Sequence, residues 1–144
     1  MIPGAATLAD ITSADWSLML DATASVLGLP TGIGNVVEGL DDIEQCLAII
    51  LTTPPGSDPL RPTFACDLFQ FIDQPISIAL PAIVAAVFDA IELWEPRIVA
   101  ENVSAQPGAV GQLLVSVTWR VNLPGAAPRT TTVTIGALAE AISA

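Results

Sequence analysis

Between Gln112 and Asn122 the chain reads QLLVSVTWRVN, and its side chains sort by parity. Leu113, Val115, Val117, Trp119 and Val121 fall on one side of an extended backbone; Leu114, Ser116, Thr118, Arg120 and Asn122 fall on the other. That period of two is the signature of a half-buried antiparallel strand. RIVAENVSA before it can pair with it across QPGAVG, and RTTTVTI after it across NLPGAAP, since each link places proline and glycine between two extended runs. The pattern predicts a three-stranded meander over residues 97–135, with Thr130, Thr132 and Thr134 on one face of its last strand. GALAEAISA, residues 136–144, is expected to be a short tail.

Upstream the period changes to 3.6. Ile76, Leu80, Ile83, Val87, Ile91 and Trp94 are spaced as one continuous stripe, which predicts a helix over residues 76–94 with Pro81 tolerable only near its first turn. Ala79, Ala82, Ala86 and Ala90 line the neighbouring face, where another backbone can approach closely. Either a second helix of this chain or a partner's helix would cover it. That second helix begins in DDIEQCLAIIL. Asp41 is the expected N-cap, with Glu44 completing a capping box, and Ile43, Leu47 and Ile50 share one face. Pro54, Pro55 and Gly56 should end it. Between the two helices, SDPLRPTFACDLFQFID predicts a proline-punctuated loop and then a short amphipathic helix, with Phe64, Leu68 and Phe71 or Ile72 pointing inward. Residues 1–40 suit loops and short strands, the candidates being WSLML at 16–20 and NVVE at 35–38. The expected fold is α+β in a single domain over residues 1–144. Its small helical core of two to three helices, residues 41–94, packs on the C-terminal three-stranded antiparallel meander.

Composition narrows what such a domain can do. At 52% hydrophobic over 144 residues the chain can build a core, and 15 acids against 4 arginines, without lysine or histidine, give a formal charge of −11. That charge repels nucleic acid and anionic lipid, so protein partners with neutral or basic faces are expected, and no nucleic acid. No secretory signal is recognisable near Met1. The longest uncharged apolar run, residues 74–88, is shorter than a spanning helix needs and contains Pro81, so no membrane span is expected. Cys46 and Cys66, with no histidine to join them, do not make a metal site, and no cofactor is expected; they are read as reduced, buried thiols, with a disulfide between them as the alternative.

Catalytic designs are scarce. Without histidine the usual triads are absent, and GLPTGIG lacks the lysine of a phosphate-binding loop. Glu44, Asp67 and Glu95 are the candidates for a glycosidase carboxylate pair. Glu44 has a capping role, Asp67 can start the short helix, and Arg97 beside Glu95 would lower its pKa where a general acid needs it raised. Glu95-Pro96-Arg97 is the most distinctive tripeptide. Pro96 must take Glu95 out of helical geometry, so Arg97 leaves the turn between helix and sheet. There its planar fork can brace helix-end carbonyls or Glu95, or can bind a partner's carboxylate.

TTPPGSDPLRPTFACDLFQFIDQPI followed by LWEPRI resembles the baseplate wedge family of contractile phage tails, whose relatives include the type VI secretion wedge subunit and the sheath initiators of other contractile injection systems. The resemblance spans about residues 41–123 and is most specific at Thr53 to Gly56, at Arg61-Pro62 with Phe64, and at Glu95-Pro96-Arg97. The family often has glycine where this chain has Ala65, and basic residues on the long helix where this chain has alanine. The resemblance implies a non-enzymatic structural subunit of the virion tail baseplate, assembled in the host cytoplasm and present in several copies. It would join the wedge core and template the first ring of the tail sheath. Implied partners are other baseplate wedge proteins and the sheath protein, with tube or hub proteins as further candidates. Implied partner-binding residues are Glu95, Pro96 and Arg97 at the wedge contact and Arg129, Thr130, Thr132 and Thr134 on a strand that a sheath arm could join. Some relatives carry a lysozyme label, so the alternative is a baseplate-associated peptidoglycan hydrolase.

Overall fold

The computed structural model describes residues 6–7, 13–20 and 35–136. The GLPTGIG segment and nearly all of the C-terminal tail lie outside the described residues. The chain divides into two compact units, Met1–Cys46 and Leu47–Ala144, a division that the single-domain expectation did not draw.

In the first unit, β1 (Ala6–Thr7), β2 (Trp16–Leu18) and β3 (Asn35–Glu38) form an antiparallel sheet in the order β1-β3-β2. The strand expected in WSLML is thus present over its first three residues, and the one expected in NVVE over all four. Val36 and Val37 of the central strand are buried. Helix α1 (Leu40–Thr52) follows. Its start corrects the expected cap: the Gly39 carbonyl accepts the Ile43 N–H at 3.2 Å, so the helix begins before Asp41. The tight exit from β3 requires φ +59° at Gly39, a conformation glycine adopts without strain. Asp41 and Asp42 therefore sit inside the first turn, where their charge complements the helix dipole. The Gln45 amide donates to Ser17 Oγ and the Leu18 carbonyl, at 2.9 and 2.8 Å, and its oxygen accepts the Leu20 N–H at 2.7 Å, tying α1 to β2.

The second unit holds the rest of α1, helix α2 (Ile76–Trp94) and the meander of β4 (Ile98–Pro107), β5 (Leu113–Val121) and β6 (Arg129–Ile135), in the order β4-β5-β6. This is the α+β arrangement expected from the periodicities. α2 packs against β4. The expected face of α1 is buried at Ile43, Leu47 and Ile50. On α2 the buried residues are Ala79, Ile83, Val87, Ala90 and Ile91, so two of the four alanines belong to the buried face while Ile78, Leu80 and Leu93 are exposed. Pro81 lies in the second turn, not the first, and the helix runs through it. Pro81 and Ser77 are both exposed, so water can serve the Ser77 carbonyl that the ring cannot. Because α2 continues past Phe88 to Trp94, it is long and apolar enough to cross a membrane by length and composition, which the expectation built on the uncharged run did not allow; 28% of its apolar window is buried.

β5 is the centre of the sheet, and its alternation is realised in burial at Leu113, Val115, Val117 and Trp119. Trp119 is fully buried and donates its indole N–H to Thr131 Oγ1 at 2.9 Å. On the opposite face Ser116 meets Thr132 at 2.8 Å and Thr118 meets Thr130 at 3.1 Å, a ladder of hydroxyl pairs. β4 carries a bulge at Glu101, between Ala100 and Asn102. The extra residue shifts parity, so Ile98 before it and Val103 and Ala105 after it are all buried. Glu101 receives Arg120 Nε at 2.8 Å. Gly136 ends β6 at φ +90°, and a Cβ there would stand 2.2 Å from the Gly111 carbonyl in the β4–β5 link, so that close passage admits only glycine.

The expected short amphipathic helix after the proline loop is not present. Only a 3-10 turn, Phe69–Phe71, forms, and Phe64 and Leu68 are buried without it while Phe71 and Ile72 are half-buried. The chain here is held by bonds outward instead: the Cys66 N–H reaches the Ile50 carbonyl of α1 at 3.1 Å, and its Sγ reaches the Ala86 carbonyl of α2 at 3.4 Å. The two cysteines form no disulfide with each other; Cys66 is buried as expected, while Cys46 is only half-buried. Ala65, between Phe64 and Cys66, has φ 131°, a region that disfavours any side chain.

Two outcomes follow from this segment. Ala65→Gly relieves strain of about 1–3 kcal/mol against a smaller loss of about 0.4–1 kcal/mol through the unfolded chain. It should raise the melting temperature by roughly 3 °C. Burial pushes the Cys66 thiol up from its ordinary 9.0 to about 12. Its contribution to stability is therefore complete below pH 9.0 and lost as pH rises towards 12, a decline that denaturant titrations at stepped pH would show for the wild type and not for Cys66→Ala.

Candidate functional site

α2 ends because Pro96 bars Glu95 from the helical region. Glu95 has φ −132° and ψ 69°, while its N–H still reaches the Ile91 carbonyl at 2.8 Å. The chain turns there, and the Glu95 carbonyl accepts the Ile98 N–H at 3.3 Å as β4 begins. The turn carries the Glu95 side chain inward, to 3% exposure. Arg97 meets it with two parallel bonds of 2.7 Å, from Nε to Oε1 and from a terminal nitrogen to Oε2. The Arg97 side chain is 30% exposed, and its backbone carbonyl accepts the Asn122 N–H at 2.9 Å, joining the turn to the end of β5. Of the uses open to Arg97 from sequence, the brace on Glu95 forms within the chain.

A second chain of contacts reaches the same helix end from the proline loop. Asp58 accepts the Leu60 N–H at 2.9 Å and Arg61 Nε at 3.0 Å. The Leu60 N–H, with Arg61 adding to it, holds the Asp58 carboxyl below its ordinary value. The Arg61 guanidinium lies 4.4 Å from the Phe64 ring centre, and Phe64 meets Trp94 edge to face at 5.1 Å. Trp94 is the residue before Glu95, so the loop and the Glu95-Pro96-Arg97 turn are fixed to one helix end. Sequence reading singled out Arg61 and Pro62 by resemblance alone, and Phe64 also as an inward-pointing residue. An Asp-x-x-Arg spacing inside a proline-rich segment is the signal that points to the ion pair.

The remaining candidates lie on β6. Arg129, Thr130, Thr132 and Thr134 are exposed along the edge strand of the meander, and among the described residues β6 pairs only with β5. The structure places Thr130, Thr132 and Thr134 on one face of the sheet, Arg129 by parity on the other, opposite Trp119, and the Glu95-Pro96-Arg97 turn at the start of β4. An edge strand presents unpaired N–H and C=O groups that an extended segment can join.

Little here resembles an acid–base centre. Glu95 is held by a guanidinium, Asp67 is exposed, and Glu44 is half-buried on α1. An open concavity of about 230 Å³ beside α2 and β4 is lined by Phe88, Ile91, Glu92, Ile98, Val99 and Ala100, with one carboxylate where glycoside hydrolysis uses two. Among the described residues no group of three or more His, Cys, Asp or Glu is placed to hold a metal.

Residues 37–125 match the family model described as baseplate wedge protein gp25. The chain is 35% identical over 104 residues to baseplate protein W of Escherichia phage P2, across 72% of this chain and 90% of that protein. Among solved structures it is similar to a crystal structure from Geobacter sulfurreducens provisionally named a tail lysozyme, with TM-score 0.57, 32% identity, and coverage of 65% of this chain and 86% of that one. It also shares its fold with a chain in the baseplate of the anti-feeding prophage, with TM-score 0.50, 21% identity, and coverage of 72% and 74%. The matched span contains α1, the braced loop, α2, the Glu95–Arg97 turn, β4 and β5, and the chain belongs to the baseplate wedge protein gp25 family.

Proposed function

We propose that this protein is a non-enzymatic structural subunit of a contractile phage tail baseplate, present in several copies in the virion, that joins the wedge core and starts assembly of the tail sheath. The observation that carries the sheath role is β6: an edge strand, β-branched, without internal proline, whose exposed face bears threonines. Its setting supports the same reading. The meander, residues 98–135, contains Arg120 and Arg129 and one acid, Glu101, which Arg120 pairs with, in a chain of net charge −11, so a neutral or acidic arm approaches this sheet without net local repulsion. Partners are other wedge proteins and the sheath protein. The Glu95-Pro96-Arg97 turn, partly exposed at Arg97, is the proposed wedge contact.

The hydrolase reading draws on the provisional name of the Geobacter sulfurreducens protein. The bidentate hold on Glu95 and the single carboxylate of the concavity favour the structural role. Release of soluble glycan from peptidoglycan by the purified wild-type chain would overturn it.

Thr132→Pro removes a donor from the middle of β6. Particles carrying this variant should form baseplates and normal tubes without an ordered sheath, as seen by electron microscopy. Full-length sheath on such particles would remove β6 as the template. Arg97→Lys keeps the charge but loses the planar fork over a buried carboxylate, and should lower stability by about 1–2 kcal/mol in denaturant titration. At temperatures where the variant stays folded, it should also enter baseplates less than wild type. Wild-type incorporation of the folded variant would confine Arg97 to bracing.

A further inference from the structure

The braced loop has one feature that the fold does not use. Leu60 is 92% exposed, yet the loop around it is held by several internal bonds. Pro54, Pro55, Pro59 and Pro62 fix four φ angles. Asp58 holds the Leu60 N–H and Arg61 at once, the Arg61 N–H reaches the Asp58 carbonyl at 3.2 Å, and the Phe64 N–H reaches the Arg61 carbonyl at 2.9 Å. Ser57 Oγ donates to the Pro54 carbonyl at 2.6 Å. Beneath, Arg61 stacks on Phe64, and Phe64 packs against Trp94. An exposed leucine at a floppy loop tip needs no explanation. One held by this many bonds presents an apolar knob whose ordering cost has been met within the subunit.

Charge identifies what the knob can meet. Residues 51–66 contain one acid and one base, Asp58 and Arg61, bonded to each other. The loop is thus an electrically neutral projection on a chain of net charge −11, where another protein can close in without repulsion. We propose that Leu60 is the central anchor of a protein–protein contact, inserted into an uncharged apolar socket on a neighbouring baseplate subunit. The Pro59–Pro62 backbone forms the rim around it. The contact rests on the baseplate reading above, and through Phe64 and Trp94 it adjoins the Glu95-Pro96-Arg97 turn, so that both belong to one end of α2.

The test is competition between tagged wild-type and variant chains for incorporation into assembled phage particles. Leu60→Asp should lose at least tenfold in incorporation while its thermal melt matches wild type, since the side chain touches little within the subunit. Asp58→Ala leaves Leu60 in place but frees the loop, and should lose about threefold to tenfold. Val110→Asp, an equally exposed apolar residue in the β4–β5 link, should compete as wild type. Equal incorporation of Leu60→Asp and wild type would overturn the proposal, as would an equal loss in Val110→Asp. Absence of the wild-type chain from particles would instead overturn the baseplate reading on which it stands.

Discussion

The Glu95–Arg97 pair is the interaction on which the second unit depends. A carboxylate at 3% exposure is costly to bury, and the cost is offset only when both oxygens find charged donors in good geometry. The two 2.7 Å bonds supply that geometry, and they do so across a proline that has already broken the helix. Ion pair and proline together fix the angle at which α2 gives way to β4. Because the Arg97 carbonyl also takes the Asn122 N–H, the same turn sets the register between the start of β4 and the end of β5. Removing either charge would leave the other buried or half-buried without that ion pair, so the fold is sensitive to the loss of either one.

What was legible in the sequence was periodic. β5 and α2 declare themselves through runs long enough for a face to repeat several times, and their bounds match the periodicity. What was not legible depended on single residues whose effect is geometric. The Glu101 bulge cannot be seen in RIVAENVSA, because it appears only when Ile98 and Val103 must both face the same core. The start of α1 moved to Gly39 because a turn with φ +59° suits glycine, and an aspartate two places on looks like a cap until that turn is known. The segment after the proline loop showed helical spacing at Phe64, Leu68 and Phe71, yet the Cys66 backbone is claimed by α1 and its thiol by α2. Tertiary bonds there outweighed a weak local preference.

The candidate sites divide along the same line. The tripeptide at the helix end was visible as unusual chemistry in a chain with 4 basic residues, and its internal partner could be named though not chosen. The threonine face of β6 followed from parity alone. The Asp58–Arg61–Phe64–Trp94 chain is invisible to periodicity, because it joins a loop to a helix end 30 residues beyond Phe64, and no local pattern reports a stacking partner at that separation.

Charge is distributed in a way that favours assembly over solubility. Of the 15 acids, 14 precede residue 102, and the sheet strands after Glu101 carry arginine alone. A subunit that needed only to stay dissolved would spread its acids over every face. Here the acids concentrate on the N-terminal portion and the helices, while the meander and the proline loop are left neutral or slightly basic. These are also the places where the fold leaves an edge strand and a fixed apolar knob. Electrostatic repulsion between copies is therefore weakest where backbone and side-chain groups are available for contact, and strongest elsewhere. Such a pattern steers association towards a few orientations rather than preventing it, which is what a part with defined neighbours in an ordered particle requires.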